Sequence, residues 1–331
     1  MNDGLVAVSG AAGFIGSAVV RELLGAGRQV RALLEPGVTN RNLDGLVVDR
    51  VVVDICDHEG MTRALDGCAA YYHLAAIYQV WVPDPEPVYR VNVEGTATCL
   101  LAAQRAGVAR IVYTSSIAAV GLREDGAPSD ETVPFNLYDI ANDYLLTKHL
   151  AERIALRFAE GGLPVTIVNP AFPFGQRDSA PTPTGGIILA VLRGKVPVIT
   201  PGGFCAIDVG DVAKAHVAAE IAGRVGERYI LGNHNVSFRD FVELVCRTAG
   251  RRPPRIRVPA QVGEIAAAGF ELWANHVSHR PPRATLKSAR YVQRRPFFDC
   301  TKARRELAMP CTPLAESVER AIAWFRRHDM V

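Results

Sequence analysis

The stretch from residue 5 to residue 25 constrains the fold most. Leu5–Ser9 is a short apolar run of strand character and Phe14–Gly25 has helical spacing. Between them lies the small-residue string Ser9-Gly10-Ala11-Ala12-Gly13-Phe14-Ile15-Gly16. Small residues let the backbone turn sharply and approach a pyrophosphate, whose charge the following helix N-terminus then holds. In a chain with 29 glycines, G-x-x-G-x-x-G alone would fit any tight turn. Strand, loop and helix in this order make it a candidate dinucleotide loop.

The first half goes on alternating between two hydrophobic periods, the mark of βαβ units around a parallel sheet. Further strands are expected at Gln29–Leu34, Val51–Asp54, Ala69–His73, Arg110–Thr114 and Pro164–Asn169, and helices at Tyr89–Ala106 and Tyr144–Glu160. Val, Ile and Leu run through these strands almost without alternation, as burial on both faces requires. Beyond Pro170 the texture changes, with Pro and Gly clustered in 170–186 and 194–203. Gly202–Ile207, Glu227–Leu231 and Arg255–Val258 read as strands of a smaller α+β lobe, and Thr312–Arg327 as a closing amphipathic helix. Gln261–Trp273 is apolar enough for either a lid or a core helix. The expected architecture is α/β: a Rossmann-type doubly wound sheet in 1–170 and a substrate-binding lobe in 171–331, some of whose segments return to the first unit.

Composition narrows the function classes. A chain of 331 residues, 49% hydrophobic and 21% charged, can bury a large core and is not a disordered protein. Its seven cysteines are odd in number, widely spaced and without a C-x-x-C pair, so neither a disulfide scaffold nor a metal site is expected. The start lacks the basic region and cleavage site of a signal peptide, and no apolar run approaches the roughly 18 residues of a spanning helix. A cytoplasmic protein without a membrane span is expected. Arg251–Arg255 and Arg280–Arg295 are strongly basic, but no nucleic-acid recognition element accompanies them, so a solvated face is the expectation and no nucleic-acid partner.

The end of the second strand lies about 20 residues past the loop, where the adenosine ribose is read. Glu35 there would accept from a free 2′-hydroxyl and repel a 2′-phosphate, which favours NAD over NADP. Arg31 and Arg41 are close enough to meet a 2′-phosphate, which keeps NADP open. Asp54, with Ile55 beside it, ends the third strand, where it could either accept from the adenine amino group or stand as a solvated strand-end carboxylate.

Tyr144 and Lys148 stand four residues apart on one helix, so phenol and ammonium share a face. A neighbouring cation favours the phenolate and lowers a phenol pKa from about 10 towards working pH. Such a phenol can exchange the proton that accompanies hydride transfer. The chain has only five lysines against 32 arginines, which makes a chance pairing of this kind uncommon. Thr114-Ser115-Ser116 ends the fifth strand, on the side where open α/β sheets bind ligands, and a hydroxyl there could hold a substrate oxygen.

Gly10-x-x-Gly13-x-x-Gly16, His73-Leu74-Ala75-Ala76, Asn92-Val93-x-Gly95-Thr96, Thr114-Ser115-Ser116 and Tyr144-x-x-x-Lys148 occur in the order of the extended short-chain dehydrogenase/reductase family, which the chain resembles over nearly its whole length. The resemblance implies Ser116 as the substrate-oxygen serine, Tyr144 as acid/base, Lys148 as tuner of that tyrosine and holder of the nicotinamide ribose, and Asn92 as a fourth, structural member of the catalytic set. It places Leu74, Ala75 and Ala76 along the cofactor, Pro170, Ala171 and Phe172 beside the nicotinamide, and a homodimer through the two long helices. Within the family the chain is similar to dihydroflavonol reductase-like proteins and hopanoid-associated sugar epimerases, although Glu35 stands where the reductases usually carry Arg. Residues 202–206 offer no cation for a sugar diphosphate, and Tyr78, Trp81, Ile117, Phe172 and Phe174 would wall an apolar or aromatic pocket. The expectation is a hydride-transfer oxidoreductase acting on a small carbonyl or secondary alcohol. The alternatives are an epimerase with tightly bound NAD and a cofactor sensor without catalysis; a sensor would have no use for the Tyr144/Lys148 pair. His73, His149 and His216 are expected to be structural.

Overall fold

A computed structural model describes residues 4–331. The chain opens with β1 (Leu5–Ser9), α1 (Phe14–Gly25), β2 (Val30–Leu34) and β3 (Asp49–Val52). Next come α2 (His58–Leu65), β4 (Cys68–His73), α3 (Glu86–Tyr89), a π-helical turn at Arg90–Glu94, α4 (Gly95–Arg105) and β5 (Arg110–Thr114). Then follow α5 (Asp143–Glu160), β6 (Val165–Pro170), β7 (Phe172–Phe174), α6 (Pro183–Leu192), β8 (Val198–Ile199), β9 (Gly203–Asp208) and α7 (Val209–Ala222). The chain ends with β10 (Arg228–Leu231), β11 (His234–Ser237), α8 (Phe238–Thr248), β12 (Ile256–Arg257), α9 (Ala260–Trp273), α10 (Leu286–Gln293), α11 (Thr301–Leu307) and α12 (Leu314–Arg327).

Seven strands form one all-parallel sheet in the order β10-β6-β5-β4-β1-β2-β3. Val6, Ala7 and Val8 are fully buried because helices cover both faces of the sheet. Val19, Val20 and Leu23 of α1 pack with Val212, Ala215 and Ala219 of α7 on one side. On the other, Met61 and Leu65 of α2, Cys99 and Leu100 of α4, and Ala151 and Ala155 of α5 form the second core. Each fully buried Val, Leu or Met contributes about 1.5–3 kcal/mol through the hydrophobic effect. A buried ion pair spans the first core: the Arg28 guanidinium reaches Glu220 at 3.2 Å and the Tyr72 hydroxyl donates to the same carboxylate at 2.5 Å.

The strand order runs one way from β1 to β3 and the other way from β4 to β10, so a crevice opens at the carboxyl ends of β1 and β4. Open α/β sheets bind their ligands at such switch points. The third strand lies earlier than the sequence suggests, so Asp54 sits in the turn beyond it and its Oδ1 accepts from the Cys56 N–H at 2.9 Å.

The strand expected in the smaller lobe at Glu227–Leu231 is instead the seventh strand of the main sheet, with Arg228 in register with Ile167. A separate three-stranded sheet, β11-β9-β7, packs under α6, α8 and α12 around Phe174, Phe204, Phe241 and Phe325. All seven cysteines are free thiols.

Candidate active site

The loop after β1 is sterically dictated. Gly10 has φ +67°, and a Cβ there would lie 2.8 Å from the Ala75 nitrogen. A Cβ on Gly16 would lie 2.0 Å from the Gly10 carbonyl oxygen, so α1 can approach the loop only through glycine. Gly13 precedes α1 as its N-cap and offers no side-chain cap, leaving the first N–H groups of the helix without one. Ala12, Phe14 and Ile15 complete the turn. This bare helix start inside a glycine cradle fits a pyrophosphate.

A residue that no motif marks braces the loop. Asn42, buried, donates from Nδ2 to the Ala12 carbonyl at 3.1 Å, and Arg21 donates to the Asn42 carbonyl at 2.8 Å. From β4, the Leu74 N–H donates to the Ser9 carbonyl at 3.3 Å and the Ala75 N–H faces Ser9 Oγ at 3.4 Å, which lays Leu74, Ala75 and exposed Ala76 along the crevice. Glu35 and Arg41 are exposed beside it. Arg31, considered above as a partner for a 2′-phosphate, is committed elsewhere: its Nε donates to Asp49 at 2.6 Å and its Nη1 to the Ala64 carbonyl at 3.0 Å. Asp54 and Ile55 lie past β3, with Ile55 against the Gly95 backbone.

Helix α5 begins at Asn142, whose Oδ1 accepts from the Leu145 N–H at 3.0 Å, and presents Tyr144 and Lys148 one turn later. Lys148 is buried; its Nζ donates to the Thr114 carbonyl at 2.7 Å and lies 5.3 Å from the Tyr113 ring centroid. Burial holds the Lys148 ammonium down to about 8, against the pull of Glu152. Tyr144 is partly exposed, and its ring lies 4.7 Å from that of Tyr78. Burial of its phenol pushes Tyr144 up to about 12, while the Ser116 hydroxyl pulls the other way. Burial, rather than the lysine, sets the direction of the phenol's shift in this structure. At neutral pH the phenol carries its proton.

Asn92 occupies the π-helical turn, buried, and touches no crevice. Its Oδ1 accepts from the Ile77 N–H at 2.8 Å, while Nδ2 donates to the Ile77 carbonyl and to Thr147 Oγ1, each at 3.1 Å. Asn92 thus ties the loop bearing Tyr78 to the helix bearing Tyr144. The bonds it makes in this structure are positioning ones.

Ser116 ends the β5 exit; its Oγ accepts from the Ala118 N–H at 3.1 Å. Ser115 is buried, and its Oγ has no partner among the described residues. Thr114 is held from behind by His216 at 2.9 Å. His73 joins Ser9, Tyr71 and Thr96 in a buried network. Burial keeps both imidazoles neutral, His73 down to about 3 and His216 down to about 4.

The pocket wall needs two corrections. Phe174 is 1% exposed and packed against the rings of Phe204 and Phe241, so it belongs to the core under the three-stranded sheet and offers a substrate nothing. Ile117 is likewise packed into the core at 3% exposure. Phe172 leans on Phe204 with its ring partly open, next to buried Pro170 and Ala171 at the end of β6. Tyr291 of α10 joins instead: it lies near Tyr144 and Tyr78, and its buried hydroxyl has no partner among the described residues. A polar cavity of about 500 Å³, bordered by Trp81, Asn142, Glu271, Asn275 and Lys287, adjoins the start of α5.

A glycine-lined pyrophosphate cradle at a sheet switch point, with a serine, a tyrosine and a lysine at its mouth, defines an NAD(P)-dependent oxidoreductase of the short-chain dehydrogenase type. The chain belongs to the NAD dependent epimerase/dehydratase family, whose model matches residues 6–232. It is 36% identical to a dihydroflavonol 4-reductase-like protein of Synechocystis, over 98% of this chain and 95% of that one. It is 33% identical to sterol demethylase protein B of Methylococcus capsulatus, over 98% and 99%. The crystal structure of gox2253 is similar at 40% identity and a TM-score of 0.88, covering 99% of both chains.

Proposed function

We propose that this enzyme interconverts a ketone and a secondary alcohol on an apolar small molecule, with Tyr144 as acid/base and Ser116 as holder of the reacting oxygen. The observation that carries this reading is the protonated, partly exposed Tyr144 phenol placed between Ser116 and a ring wall of Tyr78 and Tyr291. Bound in the crevice, the nicotinamide supplies or accepts hydride. Tyr144 donates its proton to the substrate oxygen during reduction and takes it back during oxidation. The Ser116 hydroxyl, oriented by the Ala118 N–H, donates to the same oxygen. In this reading Lys148 holds the cofactor ribose, while Gly10, Gly13 and Gly16 cradle the pyrophosphate and Glu35 favours NAD.

The names of the relatives support an apolar substrate. Besides the sterol demethylase protein B, a 3 beta-hydroxysteroid dehydrogenase/Delta 5-->4-isomerase of Mycobacterium tuberculosis is 29% identical over 92% of this chain. The fully buried strand β9 carries no cation for a nucleotide diphosphate, and the nearby Arg320 is paired with Asp208 at 3.1 Å. In this reading residues 171–331 supply the substrate side, with β10 returned to the main sheet, and two copies associate through α4 and α5.

The direct test is a panel of aryl ketones, steroid ketones, the matching alcohols and nucleotide sugars, followed by the reduced-nicotinamide absorbance. Stoichiometric cofactor turnover with ketones or alcohols is the expected result. Turnover of a nucleotide sugar with no net cofactor change would replace this reading with an epimerase.

A further inference from the structure

Helix α9 is built inside out. Val262, Ile265, Phe270, Leu272 and Trp273 are 41–73% exposed. At about 100° per residue they gather on one face of the helix. The charged residues point the other way: Glu264 pairs with Arg290 at 3.0 Å, and Glu271 accepts from the Leu286 N–H at 3.0 Å. Ala267 is the only buried residue of α9. The apolar face is therefore neither a core packing surface nor a closed lid. Contiguous exposed apolar patches of this kind mark interaction surfaces.

Charge surrounds the patch. Residues 251–295 hold ten Arg or Lys and only those two carboxylates, whereas the whole chain is +3, so the remainder is net negative. Arg251, Arg252, Arg255 and Arg257 precede α9, and Arg280 and Arg283 follow it. All six are exposed, and among the described residues none forms an ion pair. The helix runs on into a π-helical turn at Ala274–Ser278, where Asn275 accepts from Trp81 Nε1 at 2.8 Å at the rim of the cavity beside α5. The helix that carries the patch therefore also borders that cavity.

We propose that α9 docks on an anionic lipid surface, its apolar face entering the headgroup boundary and the flanking arginines meeting lipid phosphates. Interfacial helices combine an apolar face with surrounding cations in this way. Duplex DNA would use the arginines but not five exposed aliphatic and aromatic side chains. A second copy related by a two-fold axis would bring the same cations together across the interface. The docking surface stands apart from the redox reading. Entry of an apolar substrate from the bilayer rests on that reading.

The test is co-sedimentation of the full chain with phosphatidylcholine vesicles, with and without phosphatidylglycerol, at low and high salt. Binding to the anionic vesicles alone is expected, weakened about tenfold or more by high salt. The double variant Leu272→Ser/Trp273→Ser should lose about tenfold or more of that affinity, with cofactor binding unchanged. Arg280→Ser/Arg283→Ser alters only exposed positions and gives an independent reading, with a loss of the same order. The proposal is overturned by no binding to either vesicle, by binding indifferent to both variants, or by binding to duplex DNA in preference to vesicles. A wild-type dimer that the serine variants dissociate would also overturn it and assign the face to a second copy.

Discussion

Lys148 donates from Nζ to the carbonyl oxygen of Thr114 at 2.7 Å, fixing the ammonium of α5 to the carboxyl end of β5. That bond fastens the tyrosine helix to the strand that delivers Ser116. Because burial holds this ammonium down to about 8, its charge is lost as pH rises through that value. Carbonyl reduction should therefore fall above about pH 8, and Lys148→Met should lower turnover about a hundredfold and remove that limb of the pH profile. A limb unchanged in the variant would assign it to another group.

Asn92 makes no contact with the crevice, yet it holds Ile77 from both sides and reaches Thr147. Asn92→Ala should lower kcat about tenfold or more by letting Tyr78 and Tyr144 drift apart, with cofactor affinity nearly unchanged. Loss of these buried bonds should also cost about 1–3 kcal/mol of stability. Steady-state kinetics with titrated cofactor separates the two effects. A purely structural role would lower the active fraction and leave the pH profile where it was, whereas displacement of Tyr144 moves it.

The two buried imidazoles set an acid limit. Unfolded histidine titrates near 6.5, whereas folded His73 and His216 titrate at about 3 and about 4. Between those values the unfolded chain binds more protons, so stability falls as pH drops below about 6.5 and this contribution is gone below about 3–4. Thermal unfolding from pH 7 to pH 4 should show a falling Tm, with a shallower slope in His216→Gln. An equal slope in the variant would contradict the linkage.

Much of this was legible in the sequence for physical reasons. The glycines at 10, 13 and 16 answer to local sterics, and the four-residue spacing of Tyr144 and Lys148 to helix geometry. Strands buried on both faces advertise themselves through unbroken Val/Ile/Leu runs. Partners distant in sequence left no such trace. The bond from Asn42 to Ala12 crosses 30 residues, and the ion pair of Arg28 with Glu220 crosses 192. Phe174 looked like a pocket residue because aromatic character does not distinguish a wall from a core. Arg228–Leu231 could not be assigned to a sheet, since pairing with β6 is a property of the fold. The exposed face of α9 was hidden because an apolar helix reads the same facing inwards or outwards.

The most direct test of the central claim is turnover and cofactor affinity of Tyr144→Phe, measured side by side on a ketone the wild type reduces. The phenyl ring keeps the contact with Tyr78 and removes only the hydroxyl. Turnover should fall about 10²–10⁴-fold while cofactor affinity stays within about twofold. A variant that reduces the ketone at close to the wild-type rate would contradict the role of Tyr144.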